Sequence, residues 1–182
     1  MKKSLFISSI VVLIGGFFAS SVVADNTLAK FKGGIGVIPV SSGVVPPPLP
    51  PTTLTSEVVN RNFVRGVQPA GQIWVIKDLD AHVKTNGVIK VKGKGLILGG
   101  GNNAGRATGQ SVFATLICDA VAPAPFIQHN TNLTGVELAD NGDFKIDDVL
   151  APALPVVCDS PMLLIRTAGS GNWFAVGILD LD

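Results

Sequence analysis

The chain is poor in several residue types. It has no Tyr, two Trp, two Cys and two His. Its glutamates are Glu57 and Glu137 alone, and charged residues make up only 15%. Hydrophobic residues reach 47%, which excludes the apolar-poor, charge-rich composition of a disordered tail. So few glutamates beside 21 Gly and 12 Pro exclude a coiled coil. A formal net charge of +1 provides no general basic field, so nucleic acid is not an expected partner. Aromatic residues are too scarce for an extended sugar-stacking platform. Trp74 lies within the apolar run Ile73-Trp74-Val75-Ile76 and Trp173 abuts Phe174, so both read as core residues.

What is present is clearest at the N-terminus. Lys2 and Lys3 precede an apolar run over residues 5–18, and Val22 and Ala24 occupy the positions of a small-residue cleavage site. This is the three-part layout of a secretory signal peptide, and the run is shorter than the roughly 20 residues of a spanning helix. We therefore expect cleavage after Ala24 and a secreted or periplasmic chain with no transmembrane segment. Its mature form would carry 12 basic against 13 acidic side chains, net −1.

Residues 25–56 read as a Gly/Pro-rich extended arm. It holds Gly33-Gly34-Ile35-Gly36 and then Pro46-Pro47-Pro48-Leu49-Pro50-Pro51, a run that forces polyproline II geometry. Residues 37–40 could add an edge strand. From residue 57 the hydrophobic period is 2. In Val88-Ile89-Lys90-Val91-Lys92-Gly93-Lys94 the lysines point one way and the intervening residues the other. Asn86-Gly87 before it is a preferred hairpin pair, so residues 73–84 and 88–98 are expected to pair antiparallel. Residues 111–118 are nearly all apolar and read as a central strand buried on both faces. A strand over 133–139 is expected to turn at Asp140-Asn141-Gly142-Asp143 and return through 144–146. Strands over 162–166 and 173–178 flank a turn at 169–172. The pattern predicts an all-β domain over 57–182, a single antiparallel sandwich, immunoglobulin-like in form, or a small barrel, of seven or eight short strands. The Cys-Trp-Cys order of true immunoglobulin domains is absent, because Trp74 precedes both cysteines and Trp173 follows both.

Cys118 and Cys158 are expected to form a disulfide between neighbouring strands. The other motifs fall short of chemistry. Gly99-Gly100-Gly101-Asn102-Asn103-Ala104 fits a dinucleotide fingerprint in letters only, since another loop follows it where a helix is required. Asp140, Asn141, Asp143, Asp147 and Asp148 miss the spacing of a calcium loop, and turn chemistry accounts for the first three. His82 and His129 are too few for a zinc centre without further ligands. Ser111 lies outside a nucleophile elbow. No cofactor or metal is expected. The expected function is that of an exported, non-catalytic β-protein acting by surface interaction. A secreted hydrolase with an unmarked site is the alternative. Lys90, Lys92 and Lys94 carry two readings. They keep an exposed strand from pairing edge to edge with another sheet, or they meet an anionic surface weakly.

Overall fold

The computed structural model describes residues 26–42, 59–119 and 126–181. The expected signal peptide and the proline run lie outside them. The strands, in chain order, are β1 (Thr27–Gly36), β2 (Val40–Ser42), β3 (Val59–Arg61), β4 (Trp74–Val75), β5 (Asp78–Lys84), β6 (Val88–Lys94), β7 (Ile97–Leu98), β8 (Ser111–Ile117), β9 (His129–Asn130), β10 (Val136–Glu137), β11 (Phe144–Val149), β12 (Met162–Thr167) and β13 (Trp173–Leu179). There is no helix among the described residues. The all-β expectation therefore holds.

Nine strands form one antiparallel sheet in the order β10-β8-β12-β13-β1-β5-β6-β11, with β9 added on β8. The sheet curls until its ends approach each other. Val136 of β10 and Ile146 of β11 line one small cleft there, of about 100 Å³. No ladder joins β10 to β11 among the described residues, so the barrel is nearly but not fully closed.

Alternation builds the interior. In β5, Leu79, Ala81 and Val83 are fully buried while Asp78, Asp80, His82 and Lys84 are exposed. In β6, Ile89 and Val91 are buried between exposed Lys90, Lys92 and Lys94. The two strands pair as expected, Ala81 opposite Val91. Gly87 closes their turn at a φ of 84°, its N–H donating to the Lys84 carbonyl. That is a type I turn followed by a left-handed glycine. Strand β8 is buried on both faces, also as expected.

Several expectations are corrected. Residues 25–56 are not all an arm outside the domain, because β1 lies in the middle of the sheet between β5 and β13. Phe31 of β1 is 1% exposed and faces the interior. The glycines that resemble a linker are sites of irregularity and close approach. Gly33 takes a φ of 86° where the register of β1 shifts, and a side chain on Gly36 would collide with the backbone of Trp74. Residues 37–40 do not extend the main sheet. Val37 instead exchanges backbone bonds with Phe174 and Trp74, and Val40 begins a two-stranded ribbon with β3. The turn at 139–143 forms, but no hairpin grows from it: β11 pairs with β6, and only Val136 and Glu137 of the expected preceding strand join a ladder, with β8. Cys118 and Cys158 are bonded, Cα atoms 4.7 Å apart. Cys118 directly follows β8, but Cys158 lies in the loop before β12 and not on a strand.

Candidate functional site

The lysine stripe of β6 is not at an edge. Strand β6 pairs with β5 on one side and β11 on the other, so its lysines do not shield a free ladder and that reading falls. The register instead assembles a wider charged face. Across the strands run the rows Lys145–Lys92–Asp80–Lys32 and Asp147–Lys90–His82–Lys30. Lys94 stands opposite Asp78, and Lys84 opposite Thr27. The outer face of β1, β5, β6 and β11 thus gathers seven lysines and three aspartates, a formal surplus of four positive charges.

The compensation within this face is loose. Lys90 Nζ reaches Asp147 at 3.5 Å, with both side chains more than half exposed. Such a pair is worth about 0–1 kcal/mol. His82 lies 3.6 Å from Asp80. Lys92 faces Asp80 on one side and Lys145 on the other, and like charges directly opposite weaken a ladder.

Asp143 and Asp148, near the seam, are engaged by backbone N–H and amide donors. Asp143 Oδ1 accepts from the Gly95 N–H and its Oδ2 from Asn141 Nδ2. Asp148 accepts from the backbone N–H groups of Asn132 and Val149. Only the Asn141–Asp143 contacts are the local turn chemistry that the sequence indicates; Gly95 and Asn132 reach their aspartates from distant stretches of chain. No three His, Cys, Asp or Glu side chains converge among the described residues. His129 is buried on β9 with Nδ1 2.7 Å from the Pro152 carbonyl oxygen, while His82 stands on the outer face.

Two arginines hold the covering loops onto the outer side of β8 and β12. Arg65 donates to the carbonyls of Ile117 and Ser160 and to Ser160 Oγ, at 2.9, 2.6 and 2.8 Å. Arg166 lies over the Phe113 ring, 5.1 Å from its centroid, and donates to Gln128 Oε1 and the Gly171 carbonyl. Burial lowers the pKa of both guanidinium groups, opposed at Arg65 by the nearby charge of Asp119.

A second feature was not legible in the sequence. A shallow cavity of about 450 Å³, wide open to solvent, lies between β4, the turn joining β12 to β13 and the loop before β8. Its floor includes Trp74 and Phe174, stacked with ring centroids 4.0 Å apart. Gln72, Gln110, Ser170 and Asn172 stand around it, and among the described residues none of its lining is ionisable. Trp74 and Trp173 are both buried, as expected of core residues. The cavity draws on residues from four separate stretches of chain, a grouping that no linear motif announces.

No family model matches the chain, and no curated protein or solved structure proves similar to it. Among the described residues, no helix is long and apolar enough to cross a membrane.

Proposed function

We propose that this chain is an exported, non-catalytic protein that acts by contact, its lysine face on β1, β5, β6 and β11 meeting an anionic polymer. The observation that carries this reading is a surplus of four positive charges on one sheet face of a chain whose mature form would be net −1. Charge gathered on one face raises the local concentration of an oppositely charged partner. The opposed pair Lys92 and Lys145 is relieved when an anion lies between them. A polymer is favoured over an anionic bilayer on two grounds. Asp78, Asp80 and Asp147 divide the positive charge into separate points, which suits a chain of spaced anions. The outward positions also carry no Trp or Phe to anchor in a headgroup layer. Export is supported by the leader-like N-terminus and by the disulfide, which persists in oxidising compartments. The hydrolase alternative rests on no particular observation, since His129 is committed to a carbonyl and His82 to the outer face.

The test uses the exported protein, whose intact mass should begin at Asp25. Binding to immobilised polygalacturonate should weaken as salt rises, and substitution of Lys90, Lys92 and Lys94 by Gln should reduce it about tenfold or more. Salt-insensitive binding, or binding unchanged in the triple variant, removes the lysine face from the account. Capture by phosphatidylglycerol vesicles without binding to the polymer replaces the polymer by a bilayer.

A further inference from the structure

The geometry points to a second, independent site: the cavity over Trp74 and Phe174 takes a neutral, hydroxyl-rich ligand, a mono- or disaccharide. The volume of about 450 Å³ falls within the usual range of small-molecule sites. The floor is apolar and rigid. Trp74 and Phe174 come from different sheets and stack within 13° of parallel, and Leu98 continues the surface. Both rings are 4% exposed, so they offer a fixed apolar base and no open stacking face.

The rim supplies hydrogen bonding without charge. Amide side chains present donors and acceptors together, which is what vicinal hydroxyls require. Thr167 Oγ1 donates to Gln110 Oε1 at 3.3 Å, which orients that amide and leaves its two N–H donors free. The side chains of Gln72, Ser170 and Asn172 have no hydrogen-bond partner among the described residues. Thr108, also on the rim, holds a φ of 57°. A β-branched residue in the left-handed region is a genuine outlier, and such strain gathers at binding sites. With no ionisable group in the lining among the described residues, a uronate or an amino sugar finds no countercharge among them.

The test is a titration of the labelled, full exported protein, followed by amide NMR. The probes are glucose, galactose, mannose, N-acetylglucosamine, cellobiose and maltose. At least one should give saturable shifts at the side-chain amides of Gln72, Gln110 and Asn172. Glucuronate and glucosamine should bind at least tenfold more weakly than the best neutral sugar. Gln72→Ala and Asn172→Ala should each weaken binding about tenfold, the loss of roughly one hydrogen bond, with the melting temperature unchanged. The triple lysine-to-glutamine variant should retain the shifts. The proposal is overturned if none of the six neutral sugars gives a saturable shift, or if the shifts miss these amides. It is equally overturned if the charged sugars bind as well, or if the triple variant abolishes binding.

Discussion

The ring of Phe144 lies across Gly93, its cross-strand partner, and fills the space where a side chain at that position would stand. A glycine inside a strand ordinarily weakens it, and an aromatic laid over the bare backbone restores the lost packing. Gly93 is therefore a fitted part of the barrel interior.

Gly93→Ala should destabilise the protein by about 1–3 kcal/mol, because Phe144 must leave its place. Gly71→Ala, where an added methyl meets nothing within 4 Å, should change stability by less than about 0.5 kcal/mol. Urea denaturation of both variants checks the contrast. Equal effects would mean that the ring yields without cost.

Removal of residues 25–36 should abolish folding, since it takes out β1 and leaves β5 and β13 each with one unpaired edge in the middle of the sheet. Phe31→Ala, a milder probe of the same strand, should cost about 3–5 kcal/mol. Circular dichroism and thermal melts report both. A truncated chain that still melts cooperatively would return β1 to the status of an arm.

Reduction of the Cys118–Cys158 disulfide, or its replacement by two alanines, should cost about 4 kcal/mol in the chain-entropy account for a separation of 40 residues. The comparison is a chemical denaturation with and without reductant. Two titratable thiols in the native exported protein would contradict the bond itself.

The Lys90, Lys92 and Lys94 to Gln variant should stay as monomeric as the parent in light scattering. Its strand is paired on both sides, so neutral side chains there open no ladder to another molecule. Aggregation of the variant would show that the lysines guard a surface after all.

The parts legible in the sequence are those whose local signals agree. Lys90, Lys92 and Lys94 alternate with apolar residues, Asn86-Gly87 marks a turn, and the two together give the antiparallel pairing of β5 with β6. The unbroken apolar run of β8 announces burial on both faces. Strand β1 is hidden because Gly33, Gly34 and Gly36 have the composition of a linker. Their purpose emerges only from distant neighbours: Gly34 lies against Ile76 and Leu79, and Gly36 against the Trp74 backbone. The position of β6 within the sheet was equally out of reach, because β11 reaches it across an intervening 49 residues of other structure (95–143). The same nonlocality conceals the cavity.

The placement of β1 also sets the order in which the barrel can be assembled. Its first neighbour, β5, is complete at Lys84, but its second, β13, is complete only at Leu179. During synthesis one side of β1 stays without its ladder until Leu179 has been made. Among the described strands the first waits for the last, and pairing over such sequence distances is slow. Until then Ala29 and Phe31 have no closed interior to enter, and apolar surface that the finished barrel buries stands open to other chains.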